Sequence, residues 1–200
     1  MARAASGDGL HAVVLAAGPS VRFGSAKQLV RLAGRPLLHT AVTRAAEVTG
    51  NALVVVLGAR AAELAPLLKH SPGAIVVNQE WREGLGSSIR AGVAQLPPSA
   101  SGVMLVLADQ AAVTADDLRR LAGTWRKQPQ CIAAALYAGT CGAPAIFPRA
   151  SFRELAQLRG DSGARALLRR NTDRIVRVPM PSAALDIDTP EDLLAIEAPR

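Results

Sequence analysis

The chain has 200 residues, half of them apolar but only 3% aromatic, and a formal charge of +7. Those totals fit one domain with a sizeable core built mostly from Ala, Leu and Val, as in packed α/β layers. Its two cysteines make no disulfide framework and lack zinc-ligand company; with no signal-peptide character and no apolar run of spanning length, free thiols and a cytoplasmic location are expected, with no membrane partner.

In chain order, residues 1–9 read as a disordered tail. Residues 11–17 (HAVVLAA) read as a fully buried strand. Residues 29–32 read as a short extended piece before a turn at Gly34-Arg35-Pro36. Apolar residues at 37, 38, 41, 42, 45 and 48 have helical spacing. Strands are expected at 52–57, 74–77, 103–107 and 131–137, and helices at 61–69 and 87–96. Thr114 and Asp117 form a capping box for a helix reaching about Lys127. After Gly139 the rhythm changes: strands at 143–147 and 174–178, short helices at 152–158 and 164–170, and a last helix opened by Thr189 and Pro190. Strand and helix alternate with short links through residue 137, which predicts a mostly parallel sheet covered on both faces, a three-layer α/β/α Rossmann-like fold. No repeat or linker marks a second domain.

In open parallel sheets, ligands bind beyond the carboxyl ends of the strands, so the loops there carry the chemistry. Residues 13–27, VVLAAGPSVRFGSAK, run from a buried strand into small residues and two cations, Arg22 and Lys27. Small side chains let backbone N–H groups approach phosphate oxygens, and cations neutralise the charge. The loop matches neither Walker A nor GxGxxG; a plain turn with chance cations is the alternative. After the third strand, residues 78–88 bring Asn78 and several small residues to a helix start. Ser87 or Ser88 is there either a ligand to a base or sugar or simply an N-cap. After the fourth strand, Asp109 is a lone carboxylate on an apolar strand tip, a natural Mg²⁺ ligand or else a turn-forming Asp. Late in the chain, Asp186 and Asp188 share one side of an extended segment; either could complete a metal site, and Asp188 could instead lead into the Thr189 cap.

Basic residues cluster. Residues 1–44 hold six Lys or Arg against one acid, and residues 149–177 hold eight Arg against three acids. Such excess suits polyanionic ligands or a solvated basic face. Nucleic acid is disfavoured as a partner, because interleaved aromatics and reading motifs are missing. None of the three histidines falls in an expected active loop.

Taken together, LAAG (15–18), Arg22-Phe23-Gly24, Lys27-Gln28-Leu29, GLGSSIRAG (84–92), LADQ (107–110), Gly142-Ala143-Pro144, LRGDSGAR (158–165) and DIDTPEDL (186–193) resemble the MobA-like nucleotidyltransferases. The closest subgroup is the molybdenum cofactor cytidylyltransferases. The chain departs from that subgroup at Ala111, where proline usually stands, and at Cys141, where a larger or polar residue is usual. The resemblance implies a single NTP transferase domain over residues 10–198. It implies transfer of a nucleoside monophosphate from an NTP, CTP favoured by LAAG, to the phosphate of a molybdopterin-type cofactor, with pyrophosphate released. Leu15, Ala16, Ala17 and Gly18 would meet base and ribose, and Arg22 and Lys27 would hold the triphosphate. Asn78 and Ser88 would fix the nucleoside, and Asp109 with Asp186 or Asp188 would hold Mg²⁺. Arg22, Lys27 and Asp109 would be the catalytic residues. Arg149, Arg165 and Arg169 would face the anionic acceptor. Within the same chemistry a guanylyltransferase, or an enzyme using another phosphate acceptor, stays open. So do a non-catalytic cofactor-binding chaperone and a molybdoenzyme as a protein partner.

Overall fold

A computed structural model describes residues 7–20, 27–32, 34–161, 163–187 and 192. Seven strands form one sheet in the order β5-β4-β1-β6-β8-β7-β9. These are β1 (Leu10–Ala16), β4 (Leu53–Leu57), β5 (Ala74–Val77), β6 (Gly102–Leu107), β7 (Ile132–Tyr137), β8 (Thr140–Pro148) and β9 (Ile175–Pro179). A separate short hairpin joins β2 (Arg31–Leu32) to β3 (Arg35–Pro36). In the large sheet β8 lies antiparallel to both β6 and β7, and the other pairings are parallel. Six α-helices and several short 3₁₀ turns complete the described elements; the α-helices are α1 (Leu37–Thr49), α2 (Ala61–Leu64), α3 (Leu85–Val93), α4 (Ala115–Lys127), α5 (Phe152–Leu155) and α6 (Arg165–Arg170).

The alternation of β1 builds both core layers. Leu10, Ala12, Val14 and Ala16 face α1, α2 and α4, packing with Leu38, Val42, Leu64, Leu118, Leu121 and Trp125. Val13, Leu15 and Ala17 face the other way, toward Ile89 and Val93 of α3, Leu155 of α5 and Leu167 of α6. A strand buried on both sides needs apolar residues at every position, which is why this stretch reads as a continuous apolar run. The mostly parallel sheet with helices on both faces is the fold expected from the alternating pattern.

Several boundaries differ, each for a local reason. Residues 29–32 are not one strand: a 3₁₀ turn (Lys27–Leu29) precedes the β2–β3 hairpin. The helix expected at 61–69 is α2 followed by a 3₁₀ turn (Ala65–Leu68), where Pro66 has no N–H to donate. The helix expected at 152–158 is reduced to α5. β8 is longer than expected because β7 and β8 close through Ala138 and Gly139, both at positive φ. Alanine is an uncommon choice there, so the turn carries little signature. The β7–β8 register shifts between Ala134 and Ala135, passing over Pro144, which cannot donate to a ladder. Residues 7–9 do not behave as a frayed tail: the Asp8 side chain accepts the Leu10 N–H at 3.1 Å and pairs with Arg126. Apart from Asp192, the expected last helix lies outside the described residues. Among the described residues no helix is long and apolar enough to cross a membrane.

Candidate active site

β1 and β6 are neighbours in register, Leu15 opposite Leu107, so their following loops emerge side by side. That topology brings together groups 82 positions apart: Lys27 Nζ donates to Asp109 Oδ2 at 2.6 Å. Both side chains are largely shielded, at 14% and 25% exposure, so the pair is held in a medium less screening than water. It opens on a cavity of about 560 Å³ walled by Leu15, Ala16, Ala17, Gly18, Lys27, Ser88 and Asp109. Trp81, Arg82, Gly84, Gln28 and Asp161 also line it.

The loop after β1 is fastened from below. Gln28 is buried; its Nε2 donates to the Gly18 carbonyl at 3.1 Å, and its Oε1 accepts the Ser20 hydroxyl at 3.0 Å. Ser20 sits at φ 55°, a left-handed conformation that disfavours side-chain-bearing residues, and the Gln28 contact restrains it. Gln28 lies within the Lys27-Gln28-Leu29 motif, and the sequence alone does not mark it as the residue that holds the loop. Its signal was a polar residue beside a loop whose carbonyls need a donor.

Asp109 is clamped through its backbone. The Ile187 N–H donates to the Asp109 carbonyl at 3.0 Å, and the Ala108 N–H donates to Leu15 O at 3.1 Å. From α1, Arg44 donates to the carbonyls of Ala111 and Val113, both at 2.7 Å. Burial lowers the Arg44 pKa, and nearby Asp117 and Glu47 oppose that shift. Gln110 donates to Ala143 O at 2.9 Å and Ala183 O at 3.0 Å, tying the strand tip to β8 and to the turn before Asp186. Asp109 Oδ1 is buried with no hydrogen-bond partner among the described residues. A buried carboxylate oxygen without a donor suits a hard divalent cation, so the residues present fit the metal that was expected. Among the described residues no three His, Cys, Asp or Glu gather into a fuller ligand set.

The other expected residues divide. Leu15–Gly18, Lys27, Ser88 and Asp109 meet around the cavity. Asn78 does not line it: its amide donates to the Ser87 and Ser88 hydroxyls at 2.8 and 3.1 Å, and its Oδ1 accepts the Glu80 N–H at 2.9 Å. Asn78 therefore positions Ser88 from behind. Neither serine is an N-cap: α3 begins earlier, after Gly84, and the single Ser87 hydroxyl proton is within reach of both Gly84 O and Glu80 O. Asp186 is exposed and off the cavity wall, although Ile187, buried beside Leu37 and Ala111, brings its segment against Asp109. Arg22 and Asp188 lie outside the described residues. Arg149 is a correction: it sits at the opposite end of the sheet, donating to Pro98 O and Ala100 O at 2.6 and 3.0 Å. Arg169 lines no part of the cavity, and Arg165 borders a smaller one beside it.

The far wall of the cavity forms where residues 158–161 meet the start of α3, two segments the sequence offered as motifs without showing that they touch. Gly84 adopts φ +107°, and a Cβ there would come within 2.3 Å of Asp161 Oδ1, so glycine lets residues 160–161 close over the start of α3. The Gly86 N–H donates to Gly160 O at 2.9 Å. Arg90 secures the same junction, donating to Leu158 O at 2.6 Å and to both Glu83 oxygens. Its hydrogen bonds hold the Glu83 carboxyl below the usual glutamate range. At the rim the Arg82 guanidinium lies 4.4 Å from the Trp81 ring centroid, a cation–π stack.

A parallel-sheet α/β protein with a strand-tip carboxylate, a lysine and a small-residue loop around one cleft is built as a nucleotidyltransferase. The profile of the MobA-like NTP transferase domain matches residues 12–175, and the chain belongs to that family. It is similar to nicotine blue oxidoreductase of Paenarthrobacter nicotinovorans, 30% identical over 193 residues, covering 90% of this chain and 93% of that protein. It is similar to the purine catabolism protein PucB of Bacillus subtilis, 29% identical over 196 residues, covering 92% and 93%. Among solved structures, Rv0371c of Mycobacterium tuberculosis superposes with TM-score 0.81 at 30% identity, over 96% of this chain and 98% of that one. A structure of Rv0371c in complex with manganese superposes at 0.75 with 27% identity, over 96% and 98%.

Proposed function

We propose that the chain transfers CMP from CTP to the phosphate of a molybdopterin-type cofactor, with Mg²⁺ as cofactor and pyrophosphate as leaving group. The observation that carries the reading is the Lys27–Asp109 pair at 2.6 Å, opening on a cavity walled by the Leu15–Gly18 backbone. An acceptor phosphate oxygen attacks the α-phosphorus; the bond from that phosphorus to the bridging oxygen breaks, and its electron pair leaves with pyrophosphate. The acceptor oxygen is already anionic, so no strong general base is needed; alignment and charge neutralisation supply most of the rate. Lys27 is held in place by Asp109 before substrate arrives, and its ammonium donates to the triphosphate. Gln28 fixes the backbone that the nucleoside lies against. Asp109, with Asp186 or Asp188, would hold Mg²⁺, which neutralises phosphate charge when bound. Arg22 adds a second cation to the triphosphate, and Arg165 faces the acceptor side.

The test is direct. The full chain is incubated with each of the four NTPs, Mg²⁺ and molybdopterin cofactor, and pyrophosphate is followed. Acceptor-dependent release from CTP above the other three supports the reading. Release from GTP alone corrects the base, and no release from any NTP overturns the transferase reading.

A further inference from the structure

Three segments meet behind the site in a small apolar cluster of their own. Leu37, Ala111 and Ile187 are buried together, with Val30 and Leu32 packed against them, and none of these five belongs to either large core layer. Each segment carries a group of the site or borders one. The Val30 N–H donates to the Lys27 carbonyl at 3.1 Å, and Leu37, which walls the cavity, donates its N–H to Val30 O at 2.9 Å. The Ala111 and Ile187 N–H groups both donate to the Asp109 carbonyl, at 2.9 and 3.0 Å. A carbonyl oxygen has two lone pairs, so this one is saturated from two different segments. Ile187 is fully buried although Asp186 and Asp188 flank it in the sequence. Leu185 is exposed, so after Ala183 it is Ile187 that anchors this segment among the described residues.

We propose that Ile187 is a positioning residue for the metal: its side chain, seated in this cluster, holds the backbone N–H that aims Asp109. The two ends of Asp109 are fixed separately. Its carbonyl is pinned by Ala111 and Ile187, and its Oδ2 is held by Lys27, so the side chain between them keeps one orientation. That orientation leaves Oδ1 buried, without a donor among the described residues, where a hard divalent cation would take it. Isoleucine suits the task because its branched Cβ restricts χ1, and a stiff plug passes its position on to the backbone that bears it. A residue behind a metal ligand acts on affinity through the orientation of that ligand, typically by about 10- to 100-fold. The role rests on the transferase reading above, which supplies the metal.

CTP is titrated into the full chain by calorimetry, once with EDTA and once with saturating Mg²⁺. The ratio of the two dissociation constants gives the coupling of metal to nucleotide, and in the wild-type chain it should be at least about 10-fold. Ile187→Ala should bring that ratio below about 3-fold. Its affinity for CTP without metal should stay within about 2-fold of wild type, because Ile187 lines no part of the cavity. Ile187→Val keeps the branch and most of the volume, so it should hold the ratio above about 5-fold. Leu32→Ala opens the same cluster from β2 and also lines no part of the cavity. It should lower the ratio at least about 2-fold, and it carries the test if Ile187→Ala does not fold. An undiminished ratio in the folded variant, or equal weakening of CTP with and without metal, overturns the positioning role. A wild-type ratio near one overturns the metal assignment and this role with it. A wild-type chain that binds no CTP under either condition overturns the transferase reading on which both stand.

Discussion

Asp109 holds one oxygen against Lys27 and keeps the other buried, without a donor among the described residues. A buried acceptor oxygen left without a donor is costly unless a bound metal ion takes it, which ties the residue to function more firmly than its place on a strand tip alone. Asp109→Ala should lower turnover by ~10²–10³-fold or more, the cost of losing one preorganised charge, while the fold stays intact. Steady-state pyrophosphate release and far-UV circular dichroism check both halves; wild-type turnover would remove Asp109 from the reaction. Gln28 acts one step back. Gln28→Ala removes both hydrogen bonds beneath the β1 loop and should cost ~1–3 kcal/mol of stability. It should also raise KM for the NTP more than it lowers kcat, which separates loop positioning from chemistry. At this scale the sequence signalled charged residues on strand tips, because a carboxylate that closes an apolar run adds nothing to the packing of the core. It did not show that Asn78 serves Ser88 rather than the ligand, nor that Arg149 lies at the wrong end of its strand. Both facts depend on which groups face each other across the fold.

Helix α4 shows why some elements were readable to the residue and others were not. Its start is written locally: Thr114 accepts the Asp117 N–H at 3.1 Å, and Asp117 accepts the Thr114 N–H at 3.0 Å. The fold then adds what no local pattern contains, a hydrogen bond from the Ser182 hydroxyl to Asp117 at 2.8 Å and an ion pair with Arg120 at 2.8 Å. Burial works to raise the Asp117 pKa, but these donors outweigh it and hold the carboxyl below the usual aspartate range. A depressed folded-state pKa contributes stability that is full above the unfolded value, about 4, and is lost as pH falls through the folded one. Glu83, lowered by Arg90, has the same sign. Stability should therefore fall as pH drops below the unfolded carboxylate range, and Asp117→Asn should be less stable at pH 7 by about 1 kcal/mol with a shallower acid limb. Urea midpoints at pH 7 and pH 3 measure both. The β7–β8 turn is the opposite case: Ala138 at positive φ obeys tertiary demand against its own propensity.

Across the whole molecule the sheet has two ends with different duties. The carboxyl ends of β1 and β6 carry the cavity, and the antiparallel β8 is stitched there by Gln110. At the other end, where Gly102 of β6 opposes Pro148 of β8, Arg149 grips Pro98 and Ala100 and its N–H donates to Ser101 O at 2.8 Å. The basic composition of residues 149–177 made these arginines look alike; only strand direction separates Arg149 from Arg165. Arg149→Ala should therefore destabilise the fold without touching the chemistry. Two lost hydrogen bonds from a charged donor to backbone carbonyls predict a loss of ~1–3 kcal/mol. For a chain this long that lowers Tm by roughly 2–4 °C per kcal/mol. Saturating CTP with Mg²⁺, at about 100 times Kd, should raise Tm by the same increment in the variant as in the wild type, equivalent to ~2.7 kcal/mol. Asp109→Ala should show the reverse, near-normal Tm without nucleotide and a much smaller rise with it. Thermal melts of the three proteins with and without nucleotide decide the matter. A nucleotide-induced rise that shrank in Arg149→Ala would mean that the two ends of the sheet are coupled and that the basic cluster reaches the site after all.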